Sequence, residues 1–275
     1  MVGNQECKGG DMDFGIAGRR ALVAGSSSGI GAAIARSLSR EGVHVVVHGR
    51  SAASAEAVAA EIRADGGQAA VVLADLADVA EVDRLARDAL AAFGGIDILV
   101  NSAGASDHFD SWRETSLQTW ERQYRLSVLY AMQLISLIAP SMQANGWGRI
   151  INLGSSIVYR PSGYAPDYAA AKAALQGVTP GFARDLGPHG VTVNTLCSGT
   201  VLTDNTEQVM ISHARSLGLN ETGAELERRV AKDVWPNSIG RLGRPEEIAA
   251  AACFLASEQA AFITGSTLRA DGAAN

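Results

Sequence analysis

Tyr168 and Lys172 stand four residues apart in the alanine-rich stretch Tyr168-Ala169-Ala170-Ala171-Lys172. On a helix that spacing stacks both side chains on one face, so an ammonium can lie beside a phenol. A phenol ionises near pH ~10, and a neighbouring cation favours its anionic form, which draws the group toward proton exchange near neutrality. Ser155, thirteen positions upstream, follows the run Gly148-Arg149-Ile150-Ile151-Asn152-Leu153-Gly154 and can offer a hydroxyl to the same oxygen. Taken alone, the pair more often describes an ordinary tyrosine and a solvated lysine on a surface helix. The elements that would position these residues decide between the two readings.

From Arg19 the chain alternates short apolar runs with helical stretches. Ala21–Ala24, Val43–Val47, Ala69–Leu73 and Ile96–Val100 read as strands, and helical patterns run to about Arg40, over Ser54–Ala64 and over Val79–Phe93. Strands so uniformly apolar suit a parallel sheet covered on both faces, with the helices as right-handed crossovers. The expected fold is α/β: a single-domain Rossmann-like doubly wound parallel sheet of about seven strands. Further along, Leu117–Asn145 carries a long helical pattern, and Arg149–Leu153 delivers Ser155. A loop with Pro161, Gly163 and Pro166 precedes the Tyr168 helix. Val191–Leu196 and Ser266–Ala270 supply two more strands, and Pro245 opens a last helix. The stretch 203–235 lacks strand periodicity and reads either as a helical lid over the carboxyl edge or as a surface hairpin.

The first strand runs into Gly25-Ser26-Ser27-Ser28-Gly29-Ile30-Gly31. Glycines there allow a turn without β-carbons, and the following helix offers unpaired N–H groups to a pyrophosphate. A tight turn is the bland alternative, and the position between first strand and first helix favours a dinucleotide. After the second strand, His48-Gly49-Arg50-Ser51 has no acidic residue to take the ribose hydroxyls of NAD, and Arg50 can grip a phosphate. NADP(H) is therefore favoured, with NAD(H) possible if Arg50 merely solvates a loop. Asp75-Leu76 follows the third strand, where Asp75 either meets an adenine edge or caps the next helix. Asn101-Ser102-Ala103-Gly104 follows the fourth, at the edge where such sheets bind ligands.

The 275 residues are 47% apolar with net charge −6, and the pI is near 5.4. That balance argues against a nucleic-acid or anionic-membrane surface. No uninterrupted apolar run approaches a membrane span. Cys7, Cys197 and Cys253 lack metal spacing and the five histidines form no HxH or HxxxH pair, so neither a metal nor a disulfide framework is expected, consistent with a cytoplasmic protein. Residues 1–13 read as a loose tail before one domain over 14–275.

With these residues assembled, the chain resembles the short-chain dehydrogenase/reductase family, and within it the 3-oxoacyl-thioester reductases, from Phe14 to Gly272. The GxxxGxG turn, Asp75-Leu76, Asn101 to Gly104, Ser155, Tyr168 with Lys172, Gly199 followed by Thr203, and Gly240-Arg241-Leu242-Gly243-Arg244-Pro245 occur in the family's order. The resemblance implies that Tyr168 exchanges a proton with the substrate oxygen, that Ser155 holds that oxygen, and that Lys172 lowers the Tyr168 pKa and bonds the nicotinamide ribose. It implies a cofactor lined by Gly25, Ser27, Ser28, Gly29, Ile30, Gly31, Arg50, Ser51, Asp75, Leu76, Asn101, Ala103, Gly104, Lys172, Gly199, Val201 and Thr203. It also implies a homotetramer or homodimer built on the Leu117–Asn145 and Tyr168–Leu186 helices.

Four positions depart from the family pattern. Ala24 stands for a threonine, at a cost of about 1 kcal/mol for a lost hydrogen bond. Ser198 replaces a proline before Gly199, and Ala273 takes a commonly glycine position. Ser127 stands where the family places an asparagine that anchors a water leading from the lysine to solvent, and its shorter hydroxyl is expected to bind a water in an altered proton relay.

The leading expectation is an NADPH-dependent reductase of a ketone or aldehyde, such as a 3-oxoacyl thioester or a small functionalised ketone. An NAD-dependent dehydrogenase of a polyol, sugar acid or hydroxysteroid is the alternative, and a dinucleotide-binding regulator without chemistry is a third. Ser106, His108, Tyr159, Arg160 and Tyr164 are expected to border the substrate. Arg160 either meets an anionic group or is solvated, and His108 reads as a surface or lid residue, not a base.

Overall fold

The computed structural model describes residues 13–104, 111–161, 165–216, 218 and 220–274. Strands β1 (Arg20–Ala24), β2 (His44–Gly49), β3 (Ala69–Leu73), β4 (Ile98–Asn101), β5 (Gly148–Ser155), β6 (Val191–Ser198) and β7 (Thr267–Ala270) form one sheet. Their order is β3-β2-β1-β4-β5-β6-β7, and every pairing is parallel. Alternate side chains of each strand feed opposite layers. Val23, Val45 and Val47 face one layer with Ile34, Leu38, Val58, Ile62, Ile248 and Leu255. Leu22, Leu99 and Ile150 face the other with Leu85, Leu134, Ile138 and Leu175. Helices α1 (Gly29–Arg40), α2 (Ala52–Ala64) and a C-terminal helix, Pro245–Ala256, cover the first layer. Helices α3 (Val79–Ala92), α4 (Leu117–Tyr124), α5 (Tyr130–Asn145) and α6 (Pro166–Leu186) belong to the second side.

The expected fold is the observed one, with informative differences at element ends. β5 and β6 run on to Ser155 and Ser198, which lie opposite each other in register. A proline at 198 would have had no N–H to give a ladder. The expected long helix Leu117–Asn145 contains a π-turn at Arg125–Leu129 that separates α4 from α5. This run has the length and mean hydropathy of a membrane span. Its apolar residues Leu134, Ile135, Ile138 and Met142 are buried in the core, which accounts for that hydropathy. Two helices, α7 (Asp204–Ser216) and α8 (Gly223–Asp233), make up most of the stretch read as a lid. Met210, Leu226, Val230, Ala231 and Leu242 form their own small core. Glu227 of α8 ties this unit down, accepting two bonds from Arg244 (2.8 and 3.0 Å) and one from the Leu242 N–H (3.0 Å). The final helix, Pro245–Ala256, is α9. Of the expected tail, residues 1–12 lie outside the described residues, and Asp13 accepts a hydrogen bond from the Gly15 N–H.

The strand order reverses between β1 and β4, where the loops after the two strands converge at the carboxyl edge. The Ser102 N–H donates to the Ala24 carbonyl at 3.0 Å. A side chain on Gly25 would stand 2.9 Å from the Ala103 Cα. Below this crevice a buried polar chain crosses the sheet. Asn101 Nδ2 donates to Asn152 Oδ1 (2.9 Å), Asn152 Nδ2 to Thr179 Oγ1 (3.2 Å), and the Thr179 and Thr195 hydroxyls lie 3.0 Å apart. At the opposite edge the buried charge is satisfied structurally, with Arg20 bridging Asp97 at 2.7 Å.

Candidate active site

Ser155 ends β5 and leads into a single 3-10 turn, Ser156–Val158, whose Ile157 N–H reaches the Ser155 hydroxyl at 3.3 Å. Pro166 fixes the first turn of α6, and two residues on Tyr168 lies near enough to Ser155 for the serine hydroxyl to act on the phenol. One turn later Lys172 is 3% exposed. Its ammonium donates to the Leu153 carbonyl at 2.8 Å and lies 5.7 Å from the centre of the Tyr168 ring. The three residues expected to act together are therefore brought together, and the amine faces the strand end instead of bulk water.

The electrostatics correct one expectation. Burial, the largest influence, pushes the Tyr168 phenol above its ordinary value, and the Ser155 hydrogen bond opposes it. Burial likewise pulls Lys172 down to about 8. Desolvation thus favours the neutral form of both groups and outweighs the lowering of the phenol expected from its cationic neighbour. Sequence reasoning missed a fourth member of this neighbourhood. Cys197 lies on β6, paired in register with Gly154, and only as a thiolate would it add to the rise of Tyr168 and counteract the fall of Lys172. Its own thiol is pushed up to about 12 by burial. The available signal was its place two residues before Gly199 at a strand's end.

Ser127 is fully buried in the π-turn, a helical irregularity frequent at functional sites. Its hydroxyl accepts from Gln123 Nε2 at 2.8 Å. A Cβ on Gly104 (φ +98°) would stand 2.6 Å from this hydroxyl, so the turn after β4 sits directly on Ser127. The hydroxyl expected to hold a water is thus engaged by an amide. Gln123, one helical turn earlier, is the residue the sequence reading passed over; its i, i+4 spacing to Ser127 was the signal.

The dinucleotide half is equally specific. Gly25 (φ +81°) and Gly29 (φ +55°) occupy left-handed backbone, and a Cβ on Gly31 would meet the Gly25 carbonyl at 2.2 Å. Ser28 caps α1 with no side-chain hydrogen bond and the first turn carries no acid. The helix N-terminus is thereby left to an anion. Ile30 is partly exposed beside this turn. At the end of β2, Ser27, Arg50 and Ser51 line a shallow cleft of about 360 Å³. Gly49 is required there, because a Cβ would stand 2.6 Å from Ser27 Cβ. Among the described residues Arg50 has no ion-pair partner. Buried and unpartnered, Asn101 Oδ1 adds an acceptor at the crevice between the two halves. These residues fit a nicotinamide dinucleotide.

Other expectations are redistributed. Asp75 accepts from the Ala77 N–H (3.0 Å) and shapes its loop, while Asp78 caps α3 through the Ala80 and Glu81 N–H groups. The Leu76 side chain is in the core. Thr203 caps α7, its hydroxyl donating to Thr206 Oγ1 (3.0 Å), and its methyl packs against Gly29. Val201 is buried and bridges Gly243. Gly199 is needed where Asp271 Cα would be 2.9 Å from a Cβ. Tyr159 is held by Gln176 Nε2 (2.8 Å) beneath the Arg269 guanidinium (4.5 Å), and Arg160 donates to the Pro236 carbonyl (3.4 Å). Both side chains thus have partners within the fold, and Tyr159 is still 41% exposed. Ser106, His108 and Tyr164 lie outside the described residues.

A family model described as enoyl-(acyl carrier protein) reductase matches residues 24–275. A 3-oxoacyl-[acyl-carrier-protein] reductase from Synechocystis is 36% identical over 259 residues, covering 92% of this chain and 95% of its own. The chain belongs to the short-chain dehydrogenases/reductases. Two solved members have the same fold. One is L-sorbose reductase from Gluconobacter frateurii, complexed with NADPH and L-sorbose (32% identity, 96% and 98% of the chains, TM-score 0.88). The other is a 7α-hydroxysteroid dehydrogenase complexed with NADH (31% identity, 95% and 96%, TM-score 0.85). This short-chain dehydrogenase/reductase is thus an oxidoreductase acting on CH–OH or carbonyl groups with a nicotinamide cofactor. Its Ser155, Tyr168 and Lys172 cluster stands at the crevice where such a cofactor enters the fold.

Proposed function

We propose that the protein is an NADPH-dependent reductase of a ketone or aldehyde, with 3-oxoacyl thioesters and small functionalised ketones as the substrate class. The observation carrying this reading is the Ser27–Arg50–Ser51 cleft. It sets a guanidinium with no ion-pair partner among the described residues beside two hydroxyls at the end of β2, where an adenosine ribose lies in a fold of this kind. A guanidinium grips a 2′-phosphate through paired charged hydrogen bonds, and neither Gly49 nor Ser51 brings a carboxylate to repel it.

When bound, the cofactor supplies the hydride. Everything else falls to the chain. Ser155 orients the substrate oxygen, and Tyr168 delivers the proton from its hydroxyl. Lys172, charged below about pH 8, steadies the phenolate that the transfer leaves behind. Gln123 and Ser127 hold the turn at Gly104. The α7–α8 unit, fixed through Glu227, walls the substrate side and excludes water.

Initial rates with NADPH and NADH against a panel of ketones test the reading. Arg50→Ala is expected to raise the KM for NADPH by 10- to 100-fold, the worth of a charged phosphate contact, and to leave NADH within threefold. A wild-type protein that prefers NADH would overturn the cofactor assignment.

A further inference from the structure

His48 is the next-to-last residue of β2 and 2% exposed. It makes four hydrogen bonds, all to segments that carry the cofactor site. Its backbone N–H donates to Ser26 Oγ (2.9 Å) and its carbonyl accepts the Ser26 N–H (2.9 Å). Nδ1 accepts the Gly25 N–H (2.9 Å), and Nε2 lies 3.2 Å from the Ala74 carbonyl. Because a backbone N–H can only donate and a carbonyl can only accept, the partners dictate one tautomer: a lone pair on Nδ1 and the proton on Nε2. The ring therefore joins the glycine turn, the Gly49-Arg50-Ser51 end of β2 that follows it in sequence, and the Ala74-Asp75 end of β3. The charged groups acting on it are Arg50 and Asp75. The Gly25–Gly31 turn carries no charged side chain.

We infer that His48 is a positioning residue for the cofactor, holding the glycine turn through its Nδ1 lone pair so that the α1 N-terminus is aimed at the pyrophosphate. This rests on the reading above that the site takes a nicotinamide dinucleotide. It does not rest on the preference for the 2′-phosphate, because the turn meets the part common to both cofactors. Gly25, in left-handed backbone, has no other acceptor for its N–H among the hydrogen bonds of the described residues. An added proton on Nδ1 would set two donors against each other and release the turn.

Two near-isosteres separate the ring's two bonds. Asn places its carbonyl oxygen near Nδ1 and can accept from Gly25, whereas Gln reaches toward Nε2 and leaves the Gly25 N–H unpaired. Equilibrium titration of NADPH and NADH should find His48→Asn within threefold of wild type. His48→Gln should lose at least tenfold for both cofactors by a similar factor, with kcat at saturating cofactor moving less than threefold. Equal losses in both variants, or a loss confined to NADPH, would overturn the assignment. If the variants do not fold, the ¹⁵N shifts of the wild-type ring decide: the proton must be found on Nε2 alone from pH 6 to 8, and a proton on Nδ1 refutes the inference. The two readings fail separately. A wild-type chain that binds neither cofactor defeats the proposed function, while one that binds both and is indifferent to His48→Gln defeats only the role of His48.

Discussion

Replacing Lys172 by methionine should abolish turnover and, at neutral pH, make the protein more stable. The ammonium is 3% exposed and has the Leu153 carbonyl as its hydrogen-bond acceptor. Burial pulls its pKa from 10.5 to about 8. At about 1.4 kcal/mol for each pH unit, holding the charge in the folded protein costs roughly 3 kcal/mol below pH 8. Methionine has similar length and no charge, and it forfeits a hydrogen bond worth about 1 kcal/mol. The net gain is about 2 kcal/mol, or roughly 4–8 °C in Tm for a chain of this size. The sign follows from proton counting. Between about pH 8 and 10.5 the unfolded chain binds more protons than the folded one, so wild-type stability rises with pH and the advantage of methionine shrinks. Urea unfolding of both proteins at pH 7, 9 and 10.5 measures this directly. A methionine variant no more stable than wild type at pH 7, or an advantage that stays constant to pH 10.5, would refute the claim that the site is held against its own folding free energy.

Tyr168→Phe should lower kcat by about 10²–10⁴-fold while changing the NADPH dissociation constant less than threefold, as measured by stopped-flow turnover and fluorescence titration. Ala273 occupies left-handed backbone at φ +52°, so Ala273→Gly should relieve strain and stabilise the fold by about 0.5–1 kcal/mol, read as a higher urea midpoint. Burial depresses His48 to about 4. The unfolded chain then binds the extra proton between about pH 4 and 6.5, and up to roughly 3 kcal/mol of stability present above that window is lost as pH falls through it. His48→Asn should flatten that part of the pH–stability curve.

The layout was legible because its signals are local. Apolar runs bounded by glycine turns and helical spacers are enough to specify a parallel sheet, and strand ends name the residues of the crevice. Ser155, Tyr168 and Lys172 could be found because the strand end and the helix that carry them are both readable, although their spacing alone has a bland meaning too. What escaped depends on partners distant in the chain. Cys197 joins the candidate site through its register opposite Gly154, and His48 becomes a hub only when Gly25, Ser26 and Ala74 are folded around it. Gln123 stands four residues before Ser127, a readable spacing, but only the fold shows that both side chains turn inward and meet. Asp75 and Asp78 were three residues apart with the same capping chemistry, and only the fold assigns the cap to Asp78. The direction of the Tyr168 shift was missed because desolvation is a property of the packed interior, and no spacing rule contains it.

The line of amides and hydroxyls from Asn101 through Asn152 and Thr179 to Thr195 also bears on how the chain finds this arrangement. A strand threaded one residue out of step would turn these groups to the wrong layer, each stranded group costing roughly 1–3 kcal/mol. Valines and leucines would forgive that error far more readily. The seam therefore acts as a proofreading device during folding, admitting only the alignment that also sets the catalytic edge.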